Sequence, residues 1–598
     1  MSARYALIVG RLPSPPPDRV AAVPTTTWKQ VFETNGIVVL VENVRALLLA
    51  SRSGILIGDI FRRQGPPQPI SEIDVRTEAG LIDGKLDALL SSYWGSYVGV
   101  IDVMGGPVVF RDPSAACPCY FTETAESVIF ASDVRTLIEF GRLDATIDWD
   151  GVAEYLYSFG LPSTKTALTN VSELLPGTSV KVRETSLDHR QIWSPWDYVS
   201  DRPVPPIALN AEALRETVHS CTAALTHKIV RPLISVSGGL DSSVVAACVS
   251  GSGRAPVGLT MFTHDPAGDE RHYSSILCDA FGYELVSCKY LSGEIRIDEP
   301  ASPHLPRPVG RTLAMAYENA LLKHAAQRNV DGFLTGNGGD NVFANLRSAK
   351  PIIDRYIAEG WRRELWSTFR DIADLTGTSY WQVGKAAFKA FRSRHDRYCW
   401  KASTRFLHPD LLAVHEAKPL DHEWLNGPDT ALPGQRVHIA GILRVQQTLE
   451  PPRAAYAPVI NPLIAQPVIE LCLSIPTWQW CAGGRDRAVA RMAFNSDLPA
   501  AILDRRVKGT PDGFSAQIID HYRDEIRERL LDGYLAQRGL LDRSCLEAVL
   551  ARGPISRAED RPRLLDLLDT EAWIAHWLGD AGADRAARRS ASLRSSSQ

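Results

Sequence analysis

The stretch LISVSGGLDSSVV, residues 233–245, places two adjacent glycines, several serines and one aspartate between two apolar runs. The first run predicts a buried strand, and apolar residues that recur at helical spacing from Leu240 onward predict an amphipathic helix. Glycine lets the backbone turn sharply and approach a ligand, and the N–H groups and dipole at the start of a helix attract negative charge. The sequence therefore predicts a phosphate-binding loop between a strand and a helix.

Two common phosphate-binding patterns do not fit this loop. A Walker loop needs a lysine after its glycines, and a dinucleotide fold needs the spacing GxGxxG. SGGLDSS, residues 237–243, instead resembles the pyrophosphate-binding loop of the ATP pyrophosphatase enzymes. The resemblance implies that Asp241 holds Mg²⁺ and that the β- and γ-phosphates of ATP are bound by Ser237, Gly238, Gly239, Ser242 and Ser243. A serine-capped glycine turn without a ligand is the alternative.

Length and composition restrict the class of protein. A chain of 598 residues predicts at least two domains. With 45% hydrophobic residues, 22% charged residues and a net charge of -4, we expect a soluble globular protein with no nucleic acid partner. No run reaches the ~20 apolar residues of a membrane span, so we expect no membrane partner and a cytoplasmic location. The 10 cysteines form no CxxC pair, which indicates reduced, mostly buried thiols rather than a zinc site.

Changes in pattern along the chain predict its domains. Short β-type runs separated by turn residues predict a mainly β, layered domain over residues 1–205. The proline-rich stretch 200–210 predicts a linker, and a second domain is expected over residues 206–578. The tail, residues 579–598, is small, polar and basic, and its composition predicts disorder.

Strands and helices alternate after residue 232. Strands are predicted at 232–236, 256–262, 284–290 and 332–335, and helices at 240–250, 269–281 and 315–328. This order predicts an α/β fold, a doubly wound parallel sheet with helices on both faces. Ligands of such sheets bind beyond the carboxyl ends of the strands.

A second glycine-rich loop follows one of these strands. GFLTGNGGDNVF, residues 332–343, combines a strand with a loop that ends in Asp340. The loop should open at the same sheet edge as Asp241, where two carboxylates can share Mg²⁺ beside a triphosphate. The alternative is that Asp340 is an ordinary turn residue.

Taken together, these motifs resemble the asparagine synthetase family over most of the chain. YWGSYVGVIDVMGGPVVFRDPSAACPCYF (93–121) and IFASDVRTL (129–137) resemble its glutaminase-like region, which implies an Ntn-hydrolase fold of the α+β class for the first domain. Glutamine hydrolysis in that family uses a cysteine after the initiator methionine, and this chain has Ser2 there. No RGPD-like or NGEIYN-like glutamine-holding segment is visible. Although serine is the nucleophile of other Ntn enzymes, we expect a degenerate glutaminase domain.

Without its own ammonia, the enzyme would use an amine of its substrate, as the ring-closing branches of the family do. The stretches that resemble lasso peptide cyclases are PHLPRPVGRT (303–312), GNGGDNVF (336–343), HEWLNGPDTALPGQRVHI (422–439), QPVIELCLSIPTW (466–478) and GGRDRAVARMAF (483–494). This resemblance implies a precursor core peptide as substrate, with a leader peptidase and a precursor-recognition protein as partners. A β-lactam or other small-molecule amide synthetase, a glutamine- or ammonia-dependent asparagine synthetase and a non-catalytic scaffold stay open.

The resemblance also assigns the catalytic residues. RRVKG, residues 505–509, resembles the late lysine motif of the synthetases, so Lys508 would contact ATP and stabilise the oxyanion, although most lysines are exposed surface groups. The family's ExRxPFLD-like segment corresponds to AAYAPVINP, residues 454–462, which has no glutamate. Arg453 and Tyr456 are the catalytic candidates there, and the general base stays open. Further nucleotide-site residues implied by the resemblance are Ser235, Leu240, Met261 and Gly336.

Overall fold

The computed structural model of the chain describes residues 3–11, 27–199, 204–506 and 512–595, with breaks at 252, 255, 264–267, 552–554 and 556. Its strands form two six-stranded sheets in the first part of the chain and one five-stranded sheet in the second. The strands of the first part are β1 Arg4–Gly10, β2 Lys29–Thr34, β3 Ile37–Glu42, β4 Ala46–Leu48, β5 Gly54–Arg62, β6 Tyr93–Ile101, β7 Val108–Arg111, β8 Tyr120–Glu123, β9 Ser127–Ala131, β10 Ser172–Glu173, β11 Thr178–Val182 and β12 Leu187–Gln191.

The first part is a four-layered α/β structure. The sheets have the strand orders β10-β8-β9-β1-β3-β2 and β12-β11-β7-β6-β5-β4, and every pairing is antiparallel. In β1, Leu7 packs between the two sheets while Ile8 faces the outer helices, as the two-residue period of a strand requires. The helices of this part are α1 Val75–Ile82, α2 Asp87–Ser92, α3 Val134–Gly141 and α4 Trp149–Ser158. The mainly β, layered prediction agrees with this arrangement.

The second part contains the doubly wound parallel sheet, which confirms the predicted fold class. Its strands are β13 Pro232–Ser235, β14 Val257–Phe262, β15 Glu284–Lys289, β16 Gly332–Leu334 and β17 Val459–Ile460. They are parallel in the order β15-β14-β13-β16-β17. The order reverses between β13 and β16, and the crevice at such a reversal is where ligands of these sheets bind.

Helices cover both faces of this sheet. On one face lie α5 Ile207–Leu225, α6 Leu240–Val249 and α7 Arg271–Phe281, and on the other lies α8 Met315–Arg328. Adjacent residues of β13 divide between the faces, with Ile234 among the first group and Leu233 packed with α8. Every residue of α6 except Cys248 is buried. The prediction that α6 is amphipathic was therefore wrong, because α5 also packs against α6.

The rest of the second part is helical. The other helices of the described chain are α9 Gly339–Val342, α10 Lys350–Glu359, α11 Arg363–Thr376, α12 Tyr380–Arg392, α13 Pro409–Glu416, α14 Pro433–Val445, α15 Gln466–Ser474, α16 Ala488–Ala493, α17 Ala500–Leu503, α18 Asp512–His521, α19 Arg523–Asp532, α20 Tyr534–Gln537, α21 Arg543–Leu550 and α22 Asp560–Ser595. The backbone of α22 includes residues 579–595, for which the composition predicted disorder. Alanine and arginine, frequent there, are strong helix formers. Within the described residues, no helix is both long and apolar enough to span a membrane.

A buried group of charged residues joins the two parts of the chain. Arg111 of β7 donates to Glu173 of β10 at 3.0 Å, and Arg307 donates to the other carboxylate oxygen of Glu173 at 2.5 Å. Glu450 accepts hydrogen bonds from the Tyr120 hydroxyl at 3.0 and 2.9 Å, and lies 3.9 Å from Arg307. We call these five residues the interface ion network. Because Glu173 serves two buried guanidinium groups, it holds the parts together.

We expect Glu173→Ala to destabilise the fold strongly. Removing one partner of a buried ion pair leaves the other charge uncompensated and typically costs about 3–5 kcal/mol. The control is Asp188→Ala, which removes the half-exposed partner of Arg183 and should cost no more than about 1 kcal/mol. Urea unfolding followed by tryptophan fluorescence measures both. Equal, small losses in the two variants would contradict a stabilising role for the network.

Candidate functional site

The loop after β13 has the backbone that the sequence predicts. Gly238 has φ of 59°, and a Cβ added to it would lie 2.2 Å from the Cβ of Tyr273. Only glycine fits a left-handed position with so close a neighbour. The loop leads directly into α6, whose N-cap Gly239 has no side chain with which to cap the helix. Unpaired N–H groups at the start of a helix favour an anion.

The loop after β16 packs directly against the first loop. A Cβ added to Gly336 would lie 2.5 Å from the backbone nitrogen of Ser242, and one added to Gly339 would lie 2.5 Å from Cγ of Asp241. The glycines of GNGGD are therefore needed for the two loops to touch. The structure brings Asp241 and Asp340 to one sheet edge, as the strand order predicts.

A buried arginine bridges the two aspartates. Nη1 of Arg487 lies 3.0 Å from Oδ1 of Asp241 and 2.6 Å from Oδ1 of Asp340. Arg487 is 9% exposed and has φ of 53°, a left-handed conformation that is uncommon for a residue other than glycine. Burial tends to lower the pKa of Arg487, but Asp241, Asp340 and Asp486 outweigh burial and raise it. Its positive charge offsets the repulsion between the two aspartates.

Two neighbours hold this guanidinium in place. Nη2 of Arg487 donates to Oδ2 of Asp486 at 2.7 Å, and Arg491 donates to the other carboxylate oxygen of Asp486 at 2.7 Å. Burial tends to raise the pKa of Asp486, but Arg487 and Arg491 lower it below its usual value. The site therefore contains three carboxylates and two guanidinium groups. Such groups bind a triphosphate and a cation together, because guanidinium pairs with phosphate oxygens and carboxylates pair with metal ions.

The donor set at this edge fits Mg²⁺ bound with ATP. No group of three or more histidine, cysteine or acidic side chains that could hold a metal alone is found among the described residues. Mg²⁺ is usually bound by one or two carboxylates, waters and substrate phosphates, and Asp241 and Asp340 match that requirement. Among the described residues, the buried hydroxyl of Ser243 has no hydrogen-bond partner, although a buried hydroxyl normally has one.

Arg505 anchors the chain segment that leads to Lys508. Arg505 donates to the carbonyl of Ser237 at 2.9 Å and to Glu270 at 2.6 Å. Lys508 lies outside the described residues, which break at 507–511. The segment therefore enters this break from a point that touches the phosphate loop.

The other predicted nucleotide-site residues surround the loop at different depths. Ser235 ends β13 and accepts a hydrogen bond from the Tyr317 hydroxyl of α8. The side chain of Leu240 lies in the core, so any contact with ATP would come from its backbone. Met261 lies near the end of β14 and packs with Leu321 and other residues on the α8 face. Their roles in nucleotide binding stay predictions.

Arg453 and Tyr456 lie at the side of the sheet that α8 covers. Arg453 is 7% exposed and forms an ion pair with Glu318 of α8. The Arg453 guanidinium lies 5.8 Å from the ring centre of Phe333, and Tyr456 packs 6.2 Å from the same ring. Burial raises the pKa of Glu318, although Arg453 and Arg311 act to lower it. A carboxylate is therefore present beside the segment that lacks the family's glutamate.

Sequence reasoning missed Arg487 and Glu318. Arg487 lies in GGRDRAVARMAF, and its spacing of four from Arg491 next to paired glycines was the available signal. Glu318 had no signal, because a polar residue in a helix does not reveal which neighbour it faces. Glu450, the acidic residue just before this segment in the sequence, lies instead in the interface ion network.

Comparison with known proteins gives two family matches. The model described as asparagine synthase matches residues 211–578, and the model described as a glutamine amidotransferase domain matches residues 92–193. One curated relative, asparagine synthetase (glutamine-hydrolyzing) 3 of Bacillus subtilis strain 168, is 25% identical over 162 residues, 25% of this chain and 24% of that protein. The match thus spans about a quarter of the relative's length.

Two solved structures match at low identity. The structure of the allosteric regulatory enzyme of purine biosynthesis is 12% identical, with a TM-score of 0.19, and the match covers 48% of this chain and 74% of that one. Glutamine phosphoribosylpyrophosphate amidotransferase from B. subtilis, complexed with ADP and GMP, is 9% identical, with a TM-score of 0.17 and coverage of 50% and 76%. Scores this low leave the family assignment resting on the sequence matches.

We expect Asp241→Asn and Asp340→Asn each to abolish Mg²⁺-dependent release of pyrophosphate from ATP. Asparagine keeps the shape of the side chain but removes the charge that attracts the ion. The same loss of negative charge should leave binding of metal-free ATP unchanged or tighter. Calorimetry with and without Mg²⁺ measures ATP binding, and a pyrophosphate assay measures release. The control is Asp279→Asn, at an exposed position of α7. Near-normal release by both site variants would contradict the shared metal.

Proposed function

The chain belongs to the asparagine synthase family, and from that membership we propose that it is an ATP-dependent lasso peptide cyclase. It would adenylate an Asp or Glu side chain of a precursor core peptide and join it to the N-terminal amine of the same peptide. A leader peptidase and a precursor-recognition protein would supply that substrate. The observation that supports the ATP-dependent step is the pair Asp241 and Asp340, bridged by Arg487, at the crevice where the strand order reverses.

The first step activates the carboxylate. A carboxylate oxygen attacks the α-phosphorus of ATP, and the bond from that phosphorus to the bridging oxygen of pyrophosphate breaks. The loop N–H groups and the N-terminus of α6 bind the departing pyrophosphate and stabilise its negative charge. Mg²⁺, held by Asp241 and Asp340, would supply further charge stabilisation to the phosphates.

The second step closes the ring. The amine adds to the acyl carbon, an oxyanion develops, and the C–O bond to AMP breaks as the amide forms. Lys508 is the proposed donor to that oxyanion. Both reacting groups belong to one peptide, so holding the folded peptide in place makes the step effectively intramolecular.

The first part of the chain supports a substrate-borne amine over ammonia from glutamine. Its cysteines, Cys117 and Cys119, are poor nucleophiles, because burial raises the pKa of Cys119 to about 11 and raises that of Cys117 further. The interface ion network places Arg111, Arg307 and Glu173 between the two parts. A route for neutral ammonia is better lined by groups that carry no charge and exchange no proton. These charged residues therefore favour an amine from the substrate over ammonia passed between the two parts.

The second candidate is a glutamine-dependent amide synthetase, of the kind to which asparagine synthetase belongs. The observation that favours it is the match of residues 92–193 to a glutamine amidotransferase domain. Ser2, which stands where the family has its nucleophile, lies outside the described residues. The two candidates differ in their source of nitrogen and can be separated directly.

We expect the purified chain to convert a leader-free peptide encoded beside its gene into a product lighter by one water, with ATP and Mg²⁺ and without glutamine. Mass spectrometry detects the product, and an enzymatic glutamate assay should show no hydrolysis of added glutamine. Ser2→Ala should cyclise the peptide as well as the parent. Product that requires glutamine and disappears in Ser2→Ala would establish the second candidate instead.

We expect Lys508→Met to bind ATP almost normally but to lose ring formation. Loss of one preorganised donor to an oxyanion typically costs about 10²- to 10³-fold in rate. Lys508→Arg should not restore activity, because a planar guanidinium places its donors differently from an ammonium group. Calorimetry measures ATP binding and mass spectrometry measures product. Ring formation within a few-fold of the parent would exclude Lys508 from the site, and lost ATP binding would assign it to the triphosphate.

A further inference from the structure

A cavity of about 190 Å³ opens beside the first turns of α8. Its lining includes Arg311, Met315, Glu318 and Asn319, and Ser302 from the connection that precedes them. Because α8 connects parallel strands and leads into β16, its first turn lies at the carboxyl edge of the sheet. The cavity is therefore at the same edge as the two phosphate loops.

Two contacts connect the cavity to those loops. Tyr317, the neighbour of Glu318, donates its hydroxyl to Ser235, two residues before the first loop begins. On the other side, Arg311 donates to the carbonyl of Gln447 at 2.7 Å, and the next residue, Thr448, accepts from Asn337 of the second loop at 2.8 Å. Hydrogen bonds thus link elements that line the cavity to both phosphate loops.

Two buried oxygen atoms of the cavity lining have no hydrogen-bond partner among the described residues. They are Oε2 of Glu318 and Oγ of Ser302, whose residue is 1% exposed. The other oxygen of Glu318 is paired with Arg453, which fixes the direction of the carboxylate. A buried oxygen without a donor is unfavourable, so an N–H donor that reaches Glu318 from the cavity would be favoured there.

The charges around Glu318 suit an amine that must lose a proton. Arg453 and Arg311 lie near Glu318 and disfavour a persistent ammonium ion in the cavity. Burial of Glu318 favours its protonated form, so the carboxylate is well placed to accept that proton. The cavity is smaller than the roughly 300–1,000 Å³ of sites for drug-sized ligands. It fits the first residue of a peptide rather than a folded chain.

We propose that this cavity receives the N-terminal amine of the peptide and that Glu318 is the general base of ring closure. The proposal rests on the proposed function and supplies the base that the segment 454–462 lacks. Oε2 of Glu318 takes one proton from the ammonium, and the nitrogen lone pair forms the C–N bond to the acyl carbon. The C–O bond to AMP breaks with its electrons on the phosphate, and the extra proton of the new amide leaves to solvent.

The test compares two nucleophiles for the same acyl adenylate. Hydroxylamine traps the adenylate as a hydroxamate without needing an amine pocket, whereas ring closure needs both the pocket and the base. The full-length chain is incubated with ATP, Mg²⁺ and the leader-free peptide, with or without hydroxylamine. We expect Glu318→Gln to form hydroxamate within about threefold of the parent and to lose ring formation by about 10²- to 10⁴-fold.

Two further variants test the cavity itself. Asn319→Trp places a large side chain at an exposed rim position and should also block ring formation while hydroxamate persists. Glu284→Gln removes an exposed carboxylate that is paired with Arg328 at the other end of α8, outside the cavity lining, and should behave like the parent. The pH profile adds an independent readout, because the loss of ring formation at low pH should weaken in Glu318→Gln.

Each outcome decides the proposal. Ring formation by Glu318→Gln within a few-fold of the parent would overturn it, as would ring formation by Asn319→Trp at the parental rate. Parallel loss of hydroxamate and ring in Glu318→Gln, with ATP binding intact, would assign the residue to carboxylate activation and also overturn it. Absence of hydroxamate from the parent itself would reject the proposed function, a result distinguishable from failure of the base.

Discussion

Repulsion between two carboxylates at one sheet edge is the constraint on which the site depends. Asp241 and Asp340 follow neighbouring parallel strands, and the glycines around them let the two loops approach until a Cβ would no longer fit. Like charges brought so close, with Asp241 itself buried, are stabilised by a cation. In this structure Arg487 supplies it, 246 residues along the chain from Asp241. The helical region after β16 therefore contributes directly to the phosphate site. It supplies the guanidinium group of Arg487 and the contacts with Asp486 and Arg491 that hold this group in place.

Local sequence patterns predicted most strands and helices of the parallel sheet. They did not predict the contacts at the site between residues that are far apart in the sequence. The strand predicted at 332–335 is observed as Gly332–Leu334 and the helix predicted at 315–328 as Met315–Arg328, because apolar periodicity and glycine punctuation are local signals. The amphipathic character predicted for α6 was wrong because burial depends on α5, which no pattern within α6 reveals. Arg487 and Glu318 were not predicted as site residues for the same reason, because each pairs with a residue far away in the sequence. Which cation offsets Asp241 and Asp340 depends on the folded structure at the carboxyl edge of the sheet, so a local pattern does not reveal it.

The interface ion network gives the first part of the chain a role that needs no glutaminase. Arg111, Glu173 and Arg307 are all nearly inaccessible to solvent, and they tie β7 and β10 to the connection between β15 and α8. That connection also contributes Ser302 to the α8 cavity and leads into Arg311. The layered domain can thus support one wall of the cavity beside α8 whether or not it hydrolyses glutamine. Burial of Cys117 and Cys119 is consistent with a structural part of this kind.

The two halves of the proposed reaction place opposite demands on charge, and the structure separates them. Activation of the carboxylate releases pyrophosphate and is helped by positive charge, which the crevice between β13 and β16 supplies through the N-terminus of helix α6. Attack by an amine requires a proton acceptor. Positive charge beside that acceptor lowers its pKa and makes it a weaker base. Glu318, on α8 next to Tyr317, keeps its basicity because burial raises its pKa and outweighs the neighbouring Arg453 and Arg311. A base on the helix instead of on the segment 454–462 also leaves that segment free to vary.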